Sequence, residues 1–239
     1  GHGQVDIVKA IAVSSDTFFY GLGLELGLDK MNQTLKAYGF GHKTGVDILG
    51  EKNGLVANKE WKIKNKKERW YAGETVITAI GQGFTLVTPI QLANATAKIA
   101  LPNNQNYISP HLLLNSNQLK QRNDKLYTPP PNKKNTMSYI KEGMEAVTDS
   151  GGTAAFLKSG SYKIAAKTGT AQVFGLAGGE YVEEDLPEHL KDHALFIAYA
   201  PAKKPKLVVA VIVENGGSGG SAAGPIAKKV FDHYLLSNQ

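Results

Sequence analysis

Three apolar segments followed by one helical segment, all in the last third of the chain, are the feature that most restricts the fold. Residues 162–173, 193–200 and 206–213 have strand length and are rich in β-branched, aromatic and small apolar residues. The third segment is almost entirely Val, Ala and Ile, which predicts a central strand buried on both faces. Residues 221–236 predict a closing helix. Because helical patterns dominate the earlier chain, this order predicts an α+β fold, with an antiparallel sheet and helices packed on it.

Several helix boundaries can be read in the first part of the chain. Asp6 is a capping residue for a helix that ends near Val13, and Gly39 is placed to end a helix that begins at Leu28. Thr88, followed by Pro and with Gln three positions later, predicts a capped helix that runs to about residue 100. We further predict a helix over 137–147, short strands over 75–80 and near 112–114, and loops over 39–70, 107–135 and 174–192.

The composition excludes several functional classes. The 239 residues include no Cys, which excludes disulfides, thiol nucleophiles and thiolate metal sites, and the six His residues lack a metalloprotease spacing. We therefore expect no cofactor and no metal. The length and the 42% hydrophobic content suit one globular domain over residues 1–239. No apolar run is long enough to span a bilayer.

A basic segment with aromatic neighbours accounts for much of the net charge of +6. Residues 59–69 contain six basic and two acidic side chains, together with Trp61, and Trp70 follows. The favoured interpretation is a solvated helix or loop that keeps the fold soluble. An anionic wall or membrane surface is the alternative partner, and nucleic acid is the least favoured. We therefore expect no nucleic-acid partner.

The segment 165–173 carries the chemistry that the rest of the chain can be organised around. It reads as a strand that bears Lys167, Thr168, Gly169 and Thr170. Side chains alternate along a strand, and Gly allows another backbone to approach closely. The segment therefore offers an anion-binding group beside an edge along which an extended peptide could lie.

A Lys-Thr-Gly triplet alone is weak evidence, because the chain contains it twice. The other copy, Lys43-Thr44-Gly45, follows a Gly-rich stretch away from any convincing strand, and we predict a turn there. The copy at 167–169 gains support from Ser14-Ser15-Asp16, polar residues between two apolar helical runs. Short polar side chains in such a place either cap a helix or face a cleft, and both roles are compatible.

Penicillin-binding proteins and the related β-lactamases combine S-x-x-K, an S-D-N-type element and K-T-G in that order. Here Ser14-x-Asp16 precedes Lys167-Thr168-Gly169 in the order and at the scale of separation of the transpeptidase members. From residue 1 to residue 236 the chain resembles the elongation-specific class B members of rod-shaped bacteria, the penicillin-binding protein 2 group. The segments that carry the resemblance are 14–20, 38–42, 81–83, 88–91, 163–176 and 213–217.

This resemblance implies a penicillin-binding protein/serine β-lactamase-like fold and a peptidoglycan D,D-transpeptidase activity. Such enzymes cross-link stem peptides through an acyl-serine intermediate during cell elongation, and β-lactams acylate the same serine. The implied location is the periplasmic face of the bacterial inner membrane. The implied partners are stem peptides, β-lactam antibiotics, and the glycosyltransferase and membrane proteins of the elongation complex.

The resemblance also assigns roles to individual residues. Ser14 would relay protons between the motif lysine of S-x-x-K and Lys167, and Asp16 would orient a substrate amide. Lys167 would supply positive potential. Thr168 and Thr170 would hold the substrate carboxylate. The backbone N–H of Thr170 would form half of an oxyanion hole, and Gly169 would let the strand come close.

The nucleophile motif of the family is expected several tens of residues before Ser14, and none of the thirteen residues that precede Ser14 is Ser. Ser138-x-x-Lys141 fits the pattern but follows Ser14, which excludes it by chain order. We therefore expect the sequence to be the C-terminal part of a transpeptidase domain, truncated at its N-terminal side. These 239 residues alone would then form neither cross-links nor a covalent penicillin adduct, as penicillin labelling would test.

Other functions remain open at this point. A D,D-carboxypeptidase or β-lactamase would use the same fold but let water resolve the acyl-enzyme, and no deacylating base is evident in the sequence. A non-enzymatic penicillin-sensing domain or wall-binding scaffold would acylate slowly, without turnover. A basic nucleic-acid binder would show salt-dependent binding.

Overall fold

A computed structural model of the chain describes residues 1–101, 109–113, 136–173 and 187–237. The chain divides into two compact units, unit 1 with residues 1–15 and 135–239 and unit 2 with residues 16–134. The elements are α1 (Ile7–Ala12), α2 (Asp16–Tyr38), α3 (Lys59–Lys66), α4 (Ala72–Ala79), α5 (Pro89–Ala100), α6 (Thr136–Ala146), β1 (Ala165–Ala171), β2 (His193–Ala200), β3 (Leu207–Val213) and α7 (Gly224–Leu236).

Unit 1 is built on an antiparallel sheet in the order β1-β2-β3. In the register, Lys167 of β1 lies opposite Ile197 of β2, and Leu195 of β2 lies opposite Ile212 of β3. Helix α6 packs on β1, α7 packs on β2 and β3, and α1 packs on α6. The predicted α+β fold with an antiparallel sheet is confirmed, and so are the closing helix and the helix over 137–147.

The predicted position of β3 within the sheet is wrong. In the described sheet β2 is the central strand, β3 is at one edge, and every residue of β3 is only half-buried. A run of Val, Ala and Ile indicates that both faces of a strand are apolar, but pairing partners decide its place in the sheet. The burial of β2 alternates along the strand, with Phe196 1% and Ala198 0% exposed, as suits the central strand of the sheet.

The core of unit 1 lies between the sheet and the helices that pack on it. Phe196 of β2 and Phe231 of α7 are both buried, and the close approach of Gly224 to Leu157 brings α7 onto this layer. Around α6, Gly143 allows contact with Ile11 of α1, since an added Cβ would lie 2.8 Å from the Ile11 side chain. Small residues at these two positions therefore allow the helices to pack closely.

Unit 2 is helical. Helix α2 is interrupted at Gly27, whose φ of 74° is outside the helical range, so the predicted helix from Leu28 to residue 38 is its second half. The first half packs on α4 where Gly23 meets Ala79, with an ideal Cβ of Gly23 in van der Waals overlap with the Ala79 side chain. Burial of this contact stabilises both helices.

The predicted strand over 75–80 is wrong, because these residues belong to α4 and its C-terminal end. Glu74, the third residue of α4, caps the start of the helix, with its carboxylate accepting the backbone N–H of Tyr71 at 2.7 Å. The Thr78 hydroxyl donates to the Glu74 carbonyl oxygen within the helix. Capping and packing against α2 thus outweigh the strand preference of the β-branched residues.

Two predicted helix starts are confirmed by their hydrogen bonds. The Asp6 carboxylate accepts the Lys9 N–H at 2.8 Å. At α5 the Thr88 hydroxyl accepts the Gln91 N–H, and the Gln91 side chain accepts the Thr88 N–H in return. The second pair is the reciprocal capping box that the sequence predicts.

The long loops are only partly within the described residues. The strand predicted near 112–114 is wrong for Leu112 and Leu113, whose N–H groups donate to the Asp47 carboxylate instead. Residue 114, most of 107–135 and residues 174–186 lie outside the described part. The predicted excursion over 39–70 contains α3. Among the described helices, none combines the length and hydropathy needed to cross a membrane.

Candidate active site

Ser14 lies in the short link between α1 and α2, and its backbone has a φ of 54°. Its N–H donates to the Ile11 carbonyl oxygen at 3.3 Å, and the Ser15 N–H donates to the Ala10 carbonyl oxygen at 2.9 Å. A left-handed conformation is uncommon for a residue that is not Gly, so the local hydrogen bonds must hold it in place. The link therefore presents the Ser14 side chain in a fixed direction.

The Lys167 ammonium donates a hydrogen bond to the Ser14 hydroxyl oxygen at 2.8 Å, across 153 sequence positions within unit 1. The same ammonium donates to the Thr168 carbonyl oxygen at 2.8 Å. Because an ammonium can only donate, the Ser14 oxygen is the acceptor and its own hydrogen can be given to another group. The structure thus brings together two of the predicted catalytic residues.

Three of the other predicted site residues belong to β1, which is an edge strand of the described sheet. Thr168 and Gly169 are half-buried and Thr170 is exposed. An added Cβ at Gly169 would lie 3.4 Å from Leu195, so Gly suits this position. Asp16 is the exposed first residue of α2 and belongs to unit 2.

Two residues that the sequence did not point to, Thr153 and Gly219, lie against β1. The Thr153 hydroxyl lies 3.0 Å from the Thr168 hydroxyl. At Gly219 an added Cβ would overlap the carbonyl oxygens of Gly169 and Leu195. The available signals were a Gly-Gly-Thr after a helix and a Gly/Ser-rich loop before the last helix, but neither names the strand that it contacts.

The other Lys-Thr-Gly triplet lies outside any strand, as predicted, but residues 43–45 form an irregular loop and not the predicted turn. Its donors are used by Glu51: the carboxylate accepts the Thr44 N–H at 2.7 Å, the Thr44 hydroxyl at 2.6 Å and the Gly45 N–H at 3.1 Å. The same residue types that could bind a ligand carboxylate therefore bind an internal one here.

The basic segment forms α3 and the residues that follow it. Lys62 is buried, although the segment was predicted to be solvated. Lys62 is 2% exposed, and its ammonium pairs with Glu74 and, at 3.4 Å, with Glu68. Loss of hydration lowers the pKa of Lys62, but hydrogen bonds to the two carboxylates outweigh it, so the pKa is raised. Lys64 and Lys66 are exposed, as the segment predicts.

A second buried cation of unit 2 has the opposite shift. Lys98 of α5 is 2% exposed and donates to the carbonyl oxygen of Tyr38, the last residue of α2, at 3.2 Å. Burial lowers the pKa of Lys98 to about 8. In the described ranges no cluster of three or more His, Asp or Glu is placed to hold a metal ion.

Comparison with known proteins agrees with this fold. Residues 1–232 match the family described as penicillin binding protein transpeptidase domain, and the chain belongs to that family. It is 44% identical to the peptidoglycan D,D-transpeptidase MrdA of Acinetobacter baumannii over 100% of this chain and 36% of the relative.

Solved structures of penicillin-binding protein 2 are similar as well. The protein from Helicobacter pylori, in complex with MreC, has a TM-score of 0.79 at 34% identity, covering 100% of this chain and 42% of that one. The protein from Pseudomonas aeruginosa, in complex with WCK 5153, has a TM-score of 0.77 at 38% identity, covering 97% and 49%. The resemblance and the predicted fold are therefore confirmed. The chain spans 36% to 39% of the length of the first curated relatives.

Proposed function

We propose that the protein is a serine-type peptidoglycan D,D-transpeptidase that acts in cell elongation. The observation that carries this proposal is the hydrogen bond from the Lys167 ammonium to the Ser14 hydroxyl, beside an edge strand. A lysine that donates to a serine leaves that serine able to pass on its own proton, as a relay in acyl transfer requires.

In the proposed reaction, a serine of an S-x-x-K motif attacks the penultimate D-alanine carbonyl of a stem peptide. The new C–O bond replaces the C–N bond to the terminal D-alanine, and the serine proton reaches the leaving amine through the Ser14 hydroxyl. An amine from a second stem peptide then attacks the acyl-serine. It forms the cross-link, and its surplus proton returns to the serine by the same path.

The remaining residues would bind and orient the substrate. Thr168 and Thr170 hydroxyls donate to the terminal carboxylate, while the Lys167 charge favours an anion beside them. The Thr170 N–H contributes one donor of the oxyanion hole, and such a donor is worth about 2.7–4 kcal/mol in the transition state. Asp16 accepts a hydrogen bond from a substrate amide.

The proposed place of action is the periplasmic face of the inner membrane. The proposed ligands are stem peptides and, as mimics of the terminal D-alanine pair, β-lactams. A complex with MreC is known for the similar Helicobacter pylori protein. We propose partners of the same kind here, namely a glycosyltransferase and membrane proteins of an elongation complex.

Incubation of the protein that carries this sequence, in the form in which cells make it, with pentapeptide-bearing peptidoglycan tests the proposal. Mass spectrometry of the digested product should show cross-linked dimers that disappear when penicillin is added first. Shortened, uncross-linked stems alone would instead indicate a carboxypeptidase, and hydrolysed penicillin in excess of enzyme would indicate a β-lactamase.

A further inference from the structure

Thr153 lies at the end of a tight turn that follows α6. Gly152 has no room for a side chain, since an added Cβ would overlap the carbonyl oxygens of Ala146 and Val147. Gly151 has a φ of 86°, which favours Gly. The turn is tied to the start of β1 by the buried Thr148 hydroxyl, which donates to the Ile164 carbonyl oxygen at 2.8 Å. Thr153 is therefore held by a backbone with little freedom.

Two hydrogen bonds and one close backbone approach connect Thr153 to the parts of unit 1 that build the candidate site. Its N–H donates to the carbonyl oxygen of Ala12, two residues before Ser14, at 3.1 Å. Its carbonyl oxygen lies 3.2 Å from an ideal Cβ of Gly220, next to the loop that supports β1. Its hydroxyl lies 3.0 Å from that of Thr168. One residue thus joins the Ser14 link, the Gly-rich loop and β1.

The role proposed for Thr168 decides which of the two hydroxyls donates the hydrogen bond. A threonine hydroxyl has one hydrogen to donate and lone pairs to accept with. A carboxylate only accepts, so Thr168 must donate its hydrogen to the ligand, and its oxygen is then available to accept from Thr153. In such a chain each hydrogen bond polarises and strengthens the next.

We propose that Thr153 is a positioning residue that orients the Thr168 hydroxyl toward the substrate carboxylate by donating a hydrogen bond to it. This inference rests on the proposed function, in which Thr168 binds that carboxylate. In this proposal Thr153 acts through the Thr168 hydroxyl, 3.0 Å away, rather than on the ligand itself. Its effect is specific to ligands that carry the carboxylate.

The test compares acylation rate constants for benzylpenicillin and for its methyl ester, which lacks the free carboxylate, in the natural form of the protein. Thr153→Val keeps the side-chain shape but removes the hydroxyl, and we expect it to slow acylation by benzylpenicillin about five- to thirty-fold. The rate for the methyl ester should stay unchanged. Thr153→Ser should restore the benzylpenicillin rate, and Thr34→Val, which removes an exposed hydroxyl of α2, is the control.

A double-mutant cycle separates the possible outcomes. If Thr153 acts through Thr168, the valine substitution has no further effect in a Thr168→Val background. An equal loss in both backgrounds, or an equal loss for ester and acid, would overturn the inference. An unchanged benzylpenicillin rate in Thr153→Val overturns it too, while leaving the proposed function intact. If the parent protein forms no adduct at all, the proposed function fails and the inference with it.

Discussion

The backbone of Gly219 lies against that of Gly169 so closely that no side chain fits between them. An added Cβ at Gly219 would overlap the carbonyl oxygen of Gly169, and that of Leu195 on the neighbouring strand. The loop before α7, which includes the π-helical turn Gly219–Ala223, is therefore a direct support of the strand that carries the Lys-Thr-Gly triplet. The position of β1 depends on this loop as well as on pairing with β2.

Gly219→Ala should displace β1 and so impair the site. We expect a loss of about 1–3 kcal/mol in the free energy of unfolding, because backbone atoms must move to make room. In the natural form of the protein we also expect slower acylation by fluorescent penicillin. Gly160→Ala is the control, since an added Cβ there meets no atom within 4 Å. Equal acylation rates for the two variants would contradict the support role.

The two Lys-Thr-Gly triplets provide a matched pair for testing the role of the lysine. Lys167→Gln removes the cation that donates to Ser14, and we expect penicillin acylation of the natural form of the protein to fall about 100- to 10,000-fold. Lys43→Gln changes the exposed lysine of the other triplet and should leave the rate as it was. Stopped-flow or gel-based labelling measures both. A similar loss in the two variants would argue against a specific role for Lys167.

Lys98 should make the stability of unit 2 depend on pH in the alkaline range. Burial lowers the pKa of Lys98 to about 8 from an unfolded value of 10.5, so between these values the unfolded state binds more protons. The free energy of unfolding therefore rises with pH from about 8 to 10.5, by at most about 1.4 kcal/mol per pH unit.

Urea unfolding at several pH values measures this rise. Lys98→Met should remove it, whereas Lys30→Met, at an exposed position of α2, should keep it. A parent protein whose stability is flat or falls over this pH range would show that Lys98 stays charged when buried.

Gln91 should be intolerant of conversion to Glu. Gln91 is 1% exposed, and its amide nitrogen donates to the carbonyl oxygens of His42 at 2.6 Å and Asn53 at 2.8 Å. A carboxylate cannot donate to either oxygen, so we expect a loss of about 2–4 kcal/mol in the free energy of unfolding. Denaturant midpoints measure it, with Gln33→Glu, an exposed position, as the control. Matching midpoints would mean that the loop 42–53 is held by other contacts.

The parts of the fold that could be predicted are those that local chemistry decides. The caps at Asp6 and Thr88 bind groups within four residues, so their pattern is visible in the sequence. The strand at 193–200 has the same bounds in the structure. The edge position of β3 was missed because it depends on pairing partners distant in sequence, and α4 was missed because its packing on α2 and its cap at Glu74 outweigh a local strand pattern.

The part of the candidate site that could be predicted consists of residues that belong to sequence motifs. Ser14 and Lys167 could be paired from the order of the motifs, and the structure places their side chains in contact. Thr153 and Gly219 could not be found, because their roles arise only when the turn after α6 and the loop before α7 fold against β1. A glycine that fits one close approach looks like any other glycine in a sequence.

The contact between the Glu51 carboxylate and the Thr44-Gly45 backbone makes the second triplet a poor binding site for other carboxylates. A carboxylate tethered a few residues away competes at an effective concentration of about millimolar order. A dissolved carboxylate at lower concentration loses that competition, so the Thr44-Gly45 donors are occupied by Glu51 of their own chain. The second triplet would therefore not draw the proposed carboxylate ligand away from β1.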